Sequence, residues 1–193
     1  MKSKIFYSLA IIVVFFGVLF ANNTAKADCP TNIPPTDIPW IQMGPDTLFF
    51  DMGNGDTCKY AVWYCYRQYS DDISPAPFIE VFADGAVLIG PCNGSNLTTF
   101  EFRKLINYEI IRLNPDNLNW PCPTCPDFID NYSTWQYSCY DANDNPCGAS
   151  QFCRFTYRVC CDENGDRKVV EIGSNSIGGD CPSGCSSGCN NGE

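Results

Sequence analysis

The sequence predicts a mainly β fold, α+β at the margin. Two related three-strand antiparallel units, stapled by disulfides, carry one packed helix near residues 98–113. Three observations lead there. The phrase CKYAVWYC (58–65) returns as CRFTYRVC (153–160), each with cysteine at both ends, a base after the first cysteine and then an aromatic. All 14 cysteines follow an apolar leader. Beyond that leader, one stretch alone has convincing helical spacing.

The leader comes first. Lys2 and Lys4 precede the apolar run IFYSLAIIVVFFGVLF (5–20), and AKA (25–27) places small residues before the cut. This reads as a secretory signal peptide over residues 1–27, with Asp28 as the new N-terminus. The run is too short for a retained anchor, because a spanning helix needs ~20 apolar residues. Residues 28–193 then read as a single secreted domain, extracellular or periplasmic. In an oxidising compartment this density of cysteine indicates a disulfide framework, and the even count fits full pairing.

Charge narrows the partners. Three of the 12 basic residues (Lys2, Lys4, Lys26) lie in the leader, so nine oppose 22 acidic ones and leave a net −13. Nucleic acid and, once the leader is gone, anionic membrane surfaces are poor partners for that field. A second copy, a cell-surface protein or a glycan remain.

Along the chain, residues 28–46 are Pro-rich and read as an extended arm. TLFFDM (47–52) is strand-like, GNGD (53–56) is turn chemistry, and the first cysteine phrase is the returning strand. FIEVF and AVLI flank ADG (83–85) and read as a further hairpin ending at Cys92. Thr98 and Glu101 have capping-box spacing, and Phe102, Leu105, Ile106, Ile110 and Leu113 follow at helical spacing until Pro115. Residues 115–134 read as irregular. WQYSCY (135–140), the turn DANDN, the second phrase, the turn DENGD (162–166) and KVVEI (168–172) then repeat the earlier order. The expected repeat spans 47–92 and 135–181.

Strand geometry constrains the phrases. Alternation puts Cys58, Tyr60, Val62 and Tyr64 on one face, and Cys153, Phe155, Tyr157 and Val159 on the matching one; both are assigned to the core. The cysteines of one phrase point to opposite faces about 23 Å apart. A disulfide needs Cα atoms within roughly 7 Å, so Cys58 cannot bond Cys65 and Cys153 cannot bond Cys160. The economical pairing is Cys65 with Cys92 and Cys160 with Cys181, each closing its own unit.

Candidate chemistry is sparse. Cys122 and Cys125 form a C-x2-C, but prolines flank it and no helix follows to lower a thiol pKa, so these read as structural. CPSGCSSGC lacks zinc spacing, and the chain has no histidine. That absence also removes Ser-His-Asp and Cys-His catalysis. Asp141, Asn143 and Asn145 have the 1, 3, 5 spacing of a calcium loop, without its glycine at 6 or glutamate at 12. A turn explains them more simply. Asp51, Asp56, Asp71, Asp72 and Glu80 supply no carboxylate pair singled out by position. Trp63, Tyr66 and Tyr69 are the binding candidates, as an aromatic strip for a sugar or protein. The plainer reading puts Trp63 beneath the helix, which needs a surface to cover. The sequence implies no cofactor and no enzyme. It points to a secreted cysteine-rich structural or binding protein that self-associates through sheet edges. A carboxylate-based hydrolase and an exported thiol–disulfide protein are the alternatives.

Overall fold

The computed structural model describes residues 29–51, 57–71, 74, 76–92, 97–143, 145–148 and 150–189. The leader and its cleavage site lie outside them. Five long strands and a sixth central one form one sheet: β1 (Ile41–Asp51), β2 (Thr57–Tyr69), β3 (Phe78–Leu88), β4 (Ile129–Tyr137), β6 (Phe152–Cys161) and β7 (Arg167–Ile177). Helix α1 (Thr99–Leu113) joins β3 to β4, and the two-residue strands β5 (Cys139–Tyr140) and β8 (Ser186–Ser187) pair separately.

The order is β1-β2-β3-β4-β6-β7. Every neighbouring pair is antiparallel except β3–β4, which is parallel. Two three-strand meanders therefore lie side by side, pointing the same way. A parallel neighbour needs a crossover connection, and α1 supplies it.

Registers match between the meanders. Phe50 lies opposite Cys58, and Gln136 opposite Cys153. Cys65 lies opposite Phe82, and Cys160 opposite Lys168. One extra residue bulges β1 between Met43 and Asp46, facing Tyr64 and Val62. The same extra residue bulges β4 between Ile129 and Tyr132, facing Val159 and Tyr157, the same positions of the second phrase. In β1 the bulge depends on Gly44, whose φ is +92° and whose missing Cβ would sit 2.4 Å from the Val62 carbonyl oxygen. The outer bulges differ by two positions: β3 is displaced opposite Trp63/Tyr64 and β7 opposite Thr156/Tyr157.

The sheet is covered on both faces, unevenly. Ile106, Ile110 and Ile111 of α1 pack over Leu48, Phe50, Val62, Tyr64, Val81, Tyr132, Tyr157 and Val159. The phrase faces assigned to the core are those beneath the helix. The capping box of Thr98 and Glu101 forms, and Asn114 ends the helix in the left-handed region. On the other face the arm packs Cys29, Ile33 and Trp40 around Cys65, Phe82, Trp135 and Phe152.

Several expectations change. ADG does not turn a hairpin; β3 is one strand across it, and Asp84 is absorbed as the bulge residue. The "irregular" stretch contains the start of β4, the arm contains the start of β1, and β7 continues to Ile177.

All seven disulfides differ from the economical pairing: Cys29–Cys65, Cys58–Cys92, Cys122–Cys161, Cys125–Cys160, Cys139–Cys181, Cys147–Cys185 and Cys153–Cys189. Cys65–Cys92 and Cys160–Cys181 are corrected for one reason. Because β3 runs back along β2, its end returns to the start of β2, where Cys58 waits; Cys65 stands by the start of β3. The corrected bonds correspond between the meanders. The first cysteine of each phrase bonds the chain after its third strand, Cys92 or Cys189. The last bonds the chain before its first strand, Cys29 or Cys125. The Cys58–Cys65 and Cys153–Cys160 bonds excluded by geometry are absent.

Candidate functional site at the two sheet edges

The outermost strands, β1 and β7, each pair with one neighbour. In an antiparallel ladder the N–H and C=O of one residue point to the same side, and successive residues alternate. Ile89 N–H donates to Lys59 O, so Lys59 bonds toward β3 and Tyr60 toward β1, opposite Leu48. The main-chain groups of Thr47 and Phe49 therefore point outward. On the far edge, Asp162 N–H donates to Asp166 O, which turns the main-chain groups of Arg167 and Val169 outward by the same alternation. Apolar side chains accompany both edges: Phe49 is 58% exposed and Val170 47%.

The internal seam between the meanders joins the two corresponding inner strands. β3 and β4 pair over Ile79↔Tyr132 to Phe82↔Trp135. The seam then splays at the β3 bulge. There the fully buried Asn107 of α1 bridges it, accepting from Ala83 N–H at 2.8 Å and donating to Trp135 O at 3.3 Å. Sequence reasoning missed Asn107; a lone polar residue amid the helix's apolar positions was the available signal.

Around the seam on the arm side lies a buried charge cluster. Arg67 donates to Glu80 Oε2 from Nε at 2.7 Å and to the carbonyls of Ile33, Pro34 and Pro35. Its guanidinium sits 4.4 Å from the Trp40 ring centroid, and Arg154 approaches Glu80 at 3.6 Å. This cluster fastens the arm. It also lines a cavity of about 320 Å³ with Trp40, Ile33 and Ile38.

An acidic pair joins β1 to the segment after the helix. Asp46 hydrogen-bonds Asp116, which also accepts from the Tyr64 hydroxyl. Desolvation, then the Asp116 charge and hydrogen bond, raise the Asp46 pKa to about 6. Burial, then the same carboxylate, push the Tyr64 hydroxyl above its ordinary range. Asp46 can therefore hold a proton in mildly acidic solution. Asp46 and Asp116 are separated by 70 positions, which is why neither stood out in sequence.

The sequence candidates are dispersed. Trp63 belongs to the cluster on the arm side, opposite the helix, so it does not pack beneath α1. Tyr69 stacks on Phe78 and donates to Glu80 on that same side. Tyr66 turns to the helix face and meets Trp120 edge-on. The three do not form one strip. Asp141 accepts from the N–H groups of Asn143 and Asn145, which lower its pKa and close a turn. Among the described residues no three acidic or cysteine side chains are grouped to hold a metal ion. Cys122 and Cys125 are each bonded elsewhere, to Cys161 and Cys160. Of the three N-x-S/T sequences that could accept a glycan, NYS (131–133) spends the Asn131 amide on Ser74 and Ala76, while Asn93 of NGS and Asn96 of NLT lie outside the described residues.

Taken together, the described residues define a disulfide-rich, mainly antiparallel β protein with one helix. Seven disulfides fit an extracellular setting, and no described helix is long and apolar enough to cross a membrane. No protein-family model, curated protein or solved structure matches the chain.

Proposed function

We propose that this is an exported structural protein of the cell exterior, built by duplication of a three-strand unit, which self-associates through its sheet edges. One observation carries the reading. The outer strands β1 and β7 direct main-chain groups into open space, while their counterparts β4 and β3 are paired with each other inside the molecule. An unpaired, partly apolar edge is a template for another strand. The disulfides support the same role, because they hold each unit closed outside the cell without adding a reactive group.

The test is sedimentation velocity of the oxidised protein over a wide concentration range. Species larger than the monomer should grow with concentration. A monomer throughout defeats the reading. A carboxylate-based hydrolase is the second reading, and it rests on the Asp46–Asp116 pair; hydrolysis of a glycan or peptide, lost in Asp46→Asn, would favour it instead.

A further inference from the structure

We infer that the self-association proposed above is directional: β7 of one copy pairs, in parallel, with β1 of the next. The inference rests on that reading and adds strand identity, direction and register.

Direction follows from the topology. β1, β3, β4 and β7 all run the same way, because two antiparallel steps separate β1 from β3 and β4 from β7, and β3–β4 is parallel. A copy displaced sideways, without rotation, thus presents β1 parallel to β7 just as β4 stands to β3. Pairing two β1 edges or two β7 edges would need a two-fold rotation that nothing in the molecule prefigures.

Register follows from the matching positions. Phe82 and Lys168 stand opposite equivalent cysteines, as do Phe50 and Gln136, so Trp135 corresponds to Phe49. The seam pair Phe82↔Trp135 then translates to Lys168↔Phe49, and Val81↔Thr134 to Arg167↔Leu48. The outward main-chain groups of Arg167 and Val169 meet those of Thr47 and Phe49. Because the β7 bulge comes two positions later than that of β3, the ladder can continue a step further, to Val169↔Phe50.

Side chains agree with this placement. On the helix side, Val169 would adjoin Phe50, both already part of the same kind of apolar layer. On the arm side, Lys168 would reach the Phe49 ring, which Lys59 already approaches at 5.8 Å. Neither bulge forbids the junction, since the internal seam forms between two bulged strands. A head-to-tail contact of this kind does not close on itself, so it yields an open polymer.

The experiment uses two edge-blocked proteins, Phe49→Pro and Val169→Pro. Each removes an outward N–H and spares the ladder within the molecule. Their folds are checked by near-UV circular dichroism and non-reducing peptide maps. Each alone should be monomeric, and their mixture should form a one-to-one dimer that grows no further. If either variant alone still dimerises, the directional pairing is wrong while edge association stands. If both polymerise like the wild type, edge association falls too. A charge pair carries the test if a proline variant does not fold. Phe49→Lys should weaken assembly several-fold by facing Lys168, and adding Lys168→Glu should restore it. Failure of that rescue overturns the register.

Discussion

Replacing Arg67 by methionine should be among the most damaging single changes available outside the disulfides. Arg67 is 1% exposed, and its removal strands Glu80, whose side chain is 2% exposed. Breaking one partner out of a buried ion pair costs about 3–5 kcal/mol. Two groups soften the loss: the Tyr69 hydroxyl at 3.3 Å and Arg154 at 3.6 Å still face the carboxylate. The carbonyls of Pro34 and Pro35 lose their donor but are only part-buried, where water can replace it, whereas that of Ile33 is left buried. The lower end, about 3 kcal/mol, is therefore expected, a large share of the 5–15 kcal/mol typical of a whole protein. Guanidinium unfolding of the oxidised protein, followed by tryptophan fluorescence, measures it. The double variant Arg67→Met/Glu80→Leu should recover part of the loss, because no buried charge is left unpaired. Limited proteolysis adds a local readout: cleavage within residues 30–40 should accelerate, with the fragment still tethered through Cys29. A loss below about 1 kcal/mol in the single variant, or a double variant worse than the single one, would refute the argument.

Other expectations follow from single contacts. Asn107→Leu leaves Ala83 N–H and Trp135 C=O unpaired in a buried seam and should cost about 2–5 kcal/mol by denaturant unfolding. Asp46 has a folded pKa above its unfolded value, so its contribution is full below about pH 4 and lost as pH rises through about 6. Asp46→Asn should therefore remove a decline in stability across that window, and equal pH dependence in wild type and variant would refute it. Removing Cys58 and Cys92 together opens a loop of 34 positions and should cost about 4 kcal/mol in the chain-entropy model; thermal melts of the paired variant check this.

What the sequence revealed was what is local or periodic. Thr98, Glu101 and the spaced apolar residues sufficed for α1, because capping and one buried stripe are read within a few turns. The phrases revealed β2 and β6 and the faces of Cys58 and Cys65, because alternation leaves no freedom. The pairing of Cys65 failed for a nonlocal reason: it depends on which end of β3 lies beside which end of β2, and the ADG stretch suggested a turn where the strand continues. Asp46, Asp116, Asn107 and the Arg67–Glu80 pair were illegible for the same reason, since each acts only where distant segments meet. Trp63 was visible, but the side of the sheet taken by the helix was not.

The two meanders also explain why function would sit at the edges. In the first, the arm, Cys29–Cys65 and the Arg67 cluster cover the outer face; in the second, β5, β8 and their disulfides elaborate the turn between β4 and β6. Those additions differ, yet the inner ladders keep one register and one pair of stapling positions. A seam between like units demands that the facing strands fit, here β3 with β4. Retaining the register of each unit for the sake of that seam retains it in β7 and β1 as well, because ladder and disulfides bind all three strands of a unit together. On the proposed reading, the capacity to join a further copy would be a by-product of the internal junction. A protein avoiding polymerisation would have to spoil its outer edges separately. The bulges and Lys168 go some way toward that, but the same kind of bulge on β3 and β4 did not prevent pairing. The outcome turns on whether Phe49 and Lys168 attract across the gap as the register predicts, which the charge-swap pair measures directly.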